Sequence, residues 1–309
     1  MEQRFLDAAL EKYKWQPNQF SGKKECYAVT TKANFRKENY SGELTLIPED
    51  TKPSSDIKKK AKLLYIDQES GDFLKNLEEM NKLETLRILS KHIAALKDFS
   101  VPKSINFLSI LHNESDFNSK NLNFPNGFIN IKALAIINSI FVKPNKRVEG
   151  ELRIDENNFP NLEYLRFMFD SKHKALNLIE NFKNLLHLCV GGVEKVNIFD
   201  FLGDKLSSLH IEGADKEFET AQMSRVPSIE MIRFNSIHNV INCEDFLKMP
   251  KLKEIFILNS KSLINVEALL EMKSLKSLEI LNCKGAMKKP LKDKFNSTSG
   301  FEYLRVDYA

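Results

Sequence analysis

The hydrophobic pattern that dominates this chain is a short spacing, apolar-x-x-apolar-x-apolar, written four times in its C-terminal part. It begins at Ile229, and equivalent triplets begin at Leu252, Leu275 and Phe301. The first two steps are 23 residues long and the last is 26. A fixed period of this length is typical of a solenoid built from stacked repeats.

Each repeat has two kinds of position. The fourth and sixth residues lie two apart, so in a strand their side chains point to one side, while positions 3, 5 and 7 point to the other. We call the face that carries positions 3, 5 and 7 the open face. Between strands, Val266, Leu269 and Met272 recur at helix-like intervals, which predicts short helical segments in a second layer.

The spacing resembles that of the leucine-rich repeat family, whose pattern L-x-x-L-x-L-x-x-(N/C) stands nearly complete from Leu275 to Cys283. The resemblance implies an α/β fold: a right-handed leucine-rich repeat solenoid, or horseshoe, with a parallel concave β-sheet and a helical or irregular convex side. One departure is the ninth position, where Val193, Ala214 and Ile237 replace the family's small polar residue. A different turn geometry is expected in these units, because buried backbone groups still need partners.

The repeat does not cover the whole chain. Residues 1–42 lack it and are predicted to form an N-terminal cap, with a helix and then a strand from Cys26 to Thr31. Residues 43–309 are predicted to hold about 12 units, with an insertion near 140–158 that forms a hairpin or loop. No sequence remains for a C-terminal cap, which allows a dimer through an uncapped edge. The residues on the apolar side of the predicted cap helix are Phe5, Leu6, Ala9, Leu10 and Tyr13.

Composition and charge limit the classes of partner and the cellular compartment that the sequence predicts. The formal net charge is +4 from 46 basic and 42 acidic residues, so charge indicates neither nucleic acid nor membrane. No apolar run reaches signal-peptide or membrane-span length, and the four cysteines lack C-x-x-C spacing. We expect reduced thiols and a cytoplasmic protein, unless a specialised secretion system delivers it. The abundance of Lys, Asn and Ile suggests a bacterial source.

The open face is the predicted binding surface. Its columns are rich in Tyr, Arg, Met and Phe and contain no Lys, which is the composition of a protein interface. Two of its arginines, Arg166 and Arg233, would suit an acidic partner. The predicted protein-binding residues are Tyr164, Arg166, Met168, His187, His210, Met231, Arg233, Phe256 and Leu258.

One pair of face residues could support chemistry. The repeat places Cys189 beside His210 on adjacent strands, with His187 and Glu212 nearby, which fits a thiolate–imidazole hydrolase or a zinc site. A catalytic pair also needs an oxyanion site and a pocket, which an open sheet face does not obviously supply. No cofactor, metal or enzymatic activity is therefore predicted.

The resemblance and the face together imply a non-enzymatic module that sequesters or scaffolds a protein partner. One specific form of this role is a bacterial immunity protein that inhibits a toxin. The alternatives are a secreted effector that binds a host protein and a hydrolase or metal site at Cys189 and His210.

Overall fold

A computed structural model of the protein describes most of the repeat region and divides it into two compact units, residues 1–166 and 167–309. The predicted cap helix of residues 5–13 and the Pro144 turn lie outside the described residues. The described ranges are 25–37, 44–67, 71–98, 101–112, 121–123, 128–138, 151–154, 156–168, 176–193, 197–214, 217–260, 262–283, 288–298 and 300–306.

The first unit contains parallel strands in the order β2-β1-β3-β4-β5-β7-β9. Leucines and isoleucines at the fourth and sixth positions of these strands are buried on one side of the sheet. The strands, in chain order, are β1 (Cys26–Thr30), β2 (Thr45–Pro48), β3 (Leu63–Ile66), β4 (Thr85–Leu89), β5 (Phe107–His112), β6 (Asn121–Asn123), β7 (Ala133–Asn138), β8 (Glu151–Arg153) and β9 (Tyr164–Met168), the last of which crosses the boundary between the units.

The N-terminal strands do not follow chain order. β1 pairs with β2 on one side and with β3 on the other, so β2 is the edge strand. Helix α1 (Lys32–Lys37) joins β1 to β2, and helix α2 (Ser55–Lys60) carries the chain back past β1 to β3. The two connections run in opposite directions along the sheet, so right-handed crossovers place them on opposite faces. Accordingly Phe35 of α1 packs on the face that carries Leu63 and Tyr65, which is the open face.

The second unit contains six main strands that pair in parallel in the order β10-β11-β12-β14-β16-β17. Met231 pairs with Glu254, Glu254 with Ser277, and Ser277 with Tyr303, which confirms the predicted steps of 23, 23 and 26 residues. The strands are β10 (His187–Val193), β11 (Ser208–Ala214), β12 (Met231–Ile237), β13 (Val240–Asn242), β14 (Glu254–Leu258), β15 (Ser262–Ile264), β16 (Ser277–Leu281) and β17 (Tyr303–Val306).

The second layer consists mainly of short 3-10 helices, as the apolar spacing between the strands predicts. In the second unit two of them begin after an asparagine whose side chain accepts a backbone N–H: Asn197 from Phe199, and Asn242 from Glu244 at 3.2 Å. The described 3-10 helices are Asp72–Glu79, Ser90–Asp98, Leu176–Asn181, Ile198–Phe201, Thr220–Arg225, Cys243–Lys248 and Val266–Glu271, and one α-helix, α3 (Lys289–Ser297), precedes β17.

Aromatic packing joins the two layers of the second unit. The ring of Phe218 lies 5.5 Å from Phe199 and 5.1 Å, edge to face, from Phe234, and Phe234 lies 6.3 Å from Phe246. All four side chains are buried. Contacts of this geometry add about 0.5–1.5 kcal/mol per pair to the free energy of burial.

Two small parallel sheets lie outside the main strands. β13 pairs with β15, and β6 pairs with β8. The strand predicted near residue 151 is therefore present, and the partner that the structure describes for it is β6; the hairpin or loop at Pro144 stays a prediction, because it lies outside the described residues. β6 and β8 each follow a main strand of their own repeat, so they run in the same direction and pair across neighbouring repeats.

Five main strands of the second unit, β10, β11, β12, β14 and β16, have a left-handed residue at position 8. In the repeats of β14 and β16, position 9 is polar: the Ser260 hydroxyl accepts the backbone N–H of Ile237 at 3.3 Å, and the Cys283 thiol donates to the carbonyl of Leu281 at 3.2 Å. The residues with positive φ at position 8 are Gly192 (65°), Gly213 (74°), Ser236 (58°), Asn259 (50°) and Asn282 (51°).

In the three repeats with an apolar ninth residue, the backbone groups of the turn find their hydrogen-bond partners in a different way. Val193 pairs with Ala214, and Ala214 with Ile237, so the ladder continues beyond the left-handed residue. The carbonyl of Ala214 also accepts the backbone N–H of His238 at 2.8 Å. Neighbouring backbone therefore supplies partners in these units, together with the Ser260 hydroxyl that accepts the N–H of Ile237.

Candidate functional site

The open face of the second unit consists of three rows of side chains that the strand registers align. Each row takes one residue from each strand at position 3, 5 or 7. The row at position 3 is His187, Ser208, Met231, Glu254, Ser277 and Tyr303; the row at position 5 is Cys189, His210, Arg233, Phe256, Glu279 and Arg305; and the row at position 7 is Gly191, Glu212, Asn235, Leu258 and Leu281.

Accessibility differs between the rows. In the position 5 row, from Cys189 to Glu279, the side chains keep only 4–7% of their surface exposed. The position 7 row is more open, since Glu212, Leu258 and Leu281 are each half-buried. The position 3 row is mixed: His187 and Glu254 are half-buried, whereas Met231 is 8% exposed. A partner would meet the flanking rows first, and Arg233 and Phe256 lie beneath them.

Two side-chain contacts cross from β10 to β11. The Cys189 Sγ lies 3.2 Å from Nδ1 of His210, and the Nδ1 of His187 lies 2.8 Å from Oγ of Ser208. The repeat register alone predicts the first pair. Because Cys189 and His210 are both buried, the contact works as a link between neighbouring strands.

Among the residues that the structure describes, no three His, Cys, Asp or Glu side chains are grouped so that they could hold a metal ion, so the geometry does not support the zinc alternative. Cys189 and His210 supply two ligands, and a zinc site needs at least three from the protein. A hydrolase would need the Cys189 sulfur to reach a substrate carbonyl. With 4% of its surface exposed, Cys189 offers little access for that attack.

A second polar contact lies at the last two strands. The Tyr303 hydroxyl donates to Oε2 of Glu279 at 2.7 Å. Burial of the phenol and this hydrogen bond, in that order, raise the pKa of Tyr303 to about 12. The binding residues predicted from the sequence include neither Glu279 nor Glu254. The signal that could have identified them is their place in the repeat, position 5 for Glu279 and position 3 for Glu254.

Lysine is absent from the described rows of this face and occupies position 2 instead. There Lys253 pairs with Glu230 at 2.7 Å, and Lys276 with Glu302 at 2.9 Å, each across neighbouring repeats. These pairs are about half exposed, so each contributes roughly 0–1 kcal/mol.

The remaining predicted binding residues lie on β9, at the boundary of the two units. Tyr164 is buried and Arg166 is half-buried, both in the first unit. The side chain of Met168 lies outside the described residues. The other six predicted residues share the face of the second unit, and all nine stay predictions as binding residues. The six are His187, His210, Met231, Arg233, Phe256 and Leu258.

The four cysteines, Cys26, Cys189, Cys243 and Cys283, are free and buried. Burial raises the pKa of the Cys243 and Cys283 thiols, because the apolar surroundings disfavour a thiolate. Among the helices that the structure describes, none has the length and apolar character to cross a membrane.

Comparison with known proteins gives structural similarity only. No protein-family model and no curated protein sequence matches the chain. Among solved structures, it is similar to an internalin from Listeria monocytogenes (14% identity, 86% of this chain and 74% of that chain, TM-score 0.46). It is also similar to the TLR13–ssRNA13 complex (16% identity, 78% of this chain and 35% of that chain, TM-score 0.46). A third similar structure is a leucine-rich repeat protein of Leptospira interrogans (12% identity, 89% of this chain and 86% of that chain, TM-score 0.38).

Proposed function

We propose that the protein is a non-enzymatic binding module that holds a protein partner on the open face of its second unit. The observation that carries this proposal is the alignment of Tyr, Arg, Met, Phe and His side chains in three rows without lysine. Proteins use these residue types as anchors in interface cores, where lysine is depleted. Six strands spaced about 4.8 Å apart give a face roughly 24 Å across, which suits a protein surface.

Charge on this face favours a partner with both signs of charge. Arg233 is buried, while the more accessible Glu212 and Glu254 are acidic and Arg305 at the last strand is exposed. On this face the predicted preference for an acidic partner applies to groups that reach Arg233, and Arg305 is a further exposed cation for the same groups. Basic groups of the partner would meet Glu212 and Glu254.

The specific role that we propose is inhibition by sequestration, in the manner of a bacterial immunity protein that neutralises a toxin. Parallel strands fixed on both sides in the sheet form a preorganised surface, which lowers the entropic cost of tight binding. Four buried free cysteines fit a reducing cytoplasm. Delivery as an effector against a host protein uses the same face and differs only in the partner.

Capture from a lysate of the source cells, with two matched variants, tests the binding site. Leu258→Lys/Leu281→Lys places two lysines in the position 7 row, where these residues pair in register. Val240→Lys/Ile264→Lys places two lysines at exposed apolar residues of the β13–β15 sheet. We expect one near-stoichiometric partner with the parent and the Val240 variant, and its loss with the Leu258 variant. Equal capture by all three would exclude this face as the site.

The partner's behaviour separates the specific roles. A partner that stops growth when expressed alone, and not when expressed with this protein, would establish the immunity role. A partner from another organism's proteome would favour the effector role. Cys189→Ala should leave binding intact, whereas a hydrolase would lose its activity.

Dimerisation through β17 is a separate proposal. Among the strands that the structure describes, β17 is the last in the order of the second unit, and a second copy would pair along its outer edge. Sedimentation velocity tests it: a monomer at 100 µM, roughly the upper range of cellular protein concentration, would contradict a functional dimer.

A further inference from the structure

A column of large apolar side chains precedes main strands of the second unit. Its members lie three residues before position 1, and the backbone carbonyl of each accepts the N–H of position 1 at 3.0–3.2 Å. In the repeats of β10, β12, β14 and β16 these side chains are buried, with at most 9% of their surface exposed. The repeat of β17 is entered through α3 and lies outside this column. The members are Phe182, Val226, Met249 and Met272.

Gly203 takes this place in the repeat of β11, so the column lacks one side chain there. The backbone of Gly203 has no positive φ, and a Cβ at this position would meet nothing within 4 Å. Neither conformation nor crowding therefore requires glycine. A cavity of about 170 Å³ lies beside Gly203, and it opens to solvent because Gly203 is only half-buried. The cavity thus lies where the column residue of this repeat has no side chain.

Apolar side chains form the wall of the cavity, and each keeps at most 6% of its surface exposed. Such a wall offers water few hydrogen-bond partners, so an apolar group gains free energy by leaving water and entering the cavity. The other members of the column show the size of group that fits this layer, which ranges from valine to phenylalanine. The wall residues are Ile179, Phe182, Leu185 and Leu206.

The rim of the cavity is charged, with two exposed residues of each sign. The repeats of β10 and β11 supply one acidic residue and one lysine each, and the Nζ of Lys205 lies 3.5 Å from the carbonyl oxygen of Lys183 across the repeats. A group that enters the cavity therefore meets both signs of charge at its mouth. The rim residues are Glu180, Lys183, Asp204 and Lys205.

The cavity lies beside the open face. The two leucines of its wall are position 1 residues, which precede His187 and Ser208 of the position 3 row by two residues, or about 7 Å. Position 2 between them is uncharged, being Leu186 and Ser207, both half-buried, whereas later repeats carry Lys–Glu pairs there. One protein surface can therefore cover the position 3 row and the cavity without desolvating a Lys–Glu pair.

We propose that the cavity at Gly203 receives one aliphatic or aromatic side chain of the protein partner, as an anchor at the edge of the binding face. This proposal rests on the proposed function, since the partner is the one held on the open face of the second unit. The partner residues around the anchor include an acidic group for Lys183 and Lys205 and a basic group for Glu180 and Asp204. A side chain that fills a desolvated pocket is the usual form of an interface hot spot.

A side-chain mimic tests the cavity in the full chain without any partner. N-acetyl-leucinamide carries the apolar group, and N-acetyl-glycinamide is the same molecule without it. Methyl NMR of the full chain should show saturable shifts at Ile179, Leu185 and Leu206 with the leucine compound only. Half-saturation is expected at about 10–100 mM, which corresponds to the burial of one leucine side chain. Equal shifts with the two compounds, or no shift with either, would overturn the proposal.

Two substitutions of Gly203 are compared in the same titration. Gly203→Met restores a side chain of the column and should abolish the shifts, whereas Gly203→Ala adds one carbon and should keep them. Urea denaturation monitors folding, and both variants should be at least as stable as the parent, because nothing crowds this position. Shifts that persist in folded Gly203→Met would mean that the mimic binds elsewhere and would contradict the proposal. If Gly203→Met is unfolded, Gly203→Val replaces it with the same expected loss.

The purified partner separates the failure of this proposal from the failure of the proposed function. Gly203→Met should bind the partner about 30-fold more weakly than the parent, the factor that corresponds to one buried leucine, and Gly203→Ala should bind with the affinity of the parent. A loss with Gly203→Met and none with Leu258→Lys/Leu281→Lys would support the cavity and exclude the open face. The reverse pattern would support the open face and exclude the cavity as an anchor site.

Discussion

Replacement of Gly213 by alanine tests the left-handed residue at position 8, on which the turn geometry of the second unit depends. Gly213 has a φ of 74°, and a Cβ at this position would lie 3.8 Å from the backbone N of Gly192. That separation is an ordinary van der Waals contact. The cost of the substitution is therefore conformational and not a clash.

The magnitude follows from two opposing effects. A residue other than glycine in the left-handed region costs about 1–2 kcal/mol. Alanine also restricts the unfolded chain, which returns about 0.4–1 kcal/mol. Gly213→Ala should lower the free energy of unfolding by about 1 kcal/mol. Gly203→Ala is the matched control, because Gly203 has no positive φ and a Cβ there would meet nothing within 4 Å.

Urea denaturation followed by circular dichroism measures both variants. The control should be as stable as the parent or more stable by up to about 1 kcal/mol. Equal shifts for Gly213→Ala and Gly203→Ala would refute a left-handed requirement at position 8, and with it the account of how the apolar ninth positions are accommodated.

Three further perturbations test the packing and the polar contacts of the second unit. Phe218→Ala removes a fully buried ring between two others and should lower the free energy of unfolding by about 3–5 kcal/mol in thermal or urea denaturation. Thr220→Val should lower the free energy of unfolding by about 1–3 kcal/mol, because the Thr220 hydroxyl donates to the buried Asp245 carboxylate at 2.7 Å. A double-mutant cycle with Asp245→Asn should show that the two losses are coupled, and additive losses would contradict this hydrogen bond. The pKa of Tyr303 is about 12 in the folded protein against 10 in the unfolded chain, so its contribution to stability is complete below pH 10 and is lost as the pH rises to 12. Absorbance titration near 295 nm should show that Tyr303 ionises at a higher pH than an ordinary tyrosine. Glu279→Gln should lower the pH at which it ionises.

The sequence predicts the second unit well because one rule governs it. Apolar positions 4 and 6 fix which side of each strand is core, and the 23-residue period fixes the register, so the pattern alone places Cys189 beside His210. The turn geometry can be predicted from the sequence only in part. Gly192, Gly213, Asn259 and Asn282 all tolerate a positive φ, but that shared property is visible only when position 8 is aligned across repeats.

The N-terminal strand order could not be predicted in the same way. β1 and β2 lack the repeat, so no period sets their register, and their order depends on which face α1 covers. Phe35 decides this by packing on Leu63 and Tyr65, two residues that the repeat pattern alone assigns to an accessible face. The burial of Arg233 and Phe256 was hidden for a similar reason, since position in a repeat gives direction but not accessibility.

The most direct test of the proposed binding face is the affinity of the purified partner for three proteins, measured by isothermal titration calorimetry. The parent and Val240→Lys/Ile264→Lys should bind with one-to-one stoichiometry and equal affinity. Leu258→Lys/Leu281→Lys should bind at least about 30-fold more weakly, because each half-buried leucine would lose roughly 1 kcal/mol of apolar burial against the partner. Unchanged affinity in the Leu258 variant, or a comparable loss in the Val240 variant, would contradict binding on the open face of the second unit.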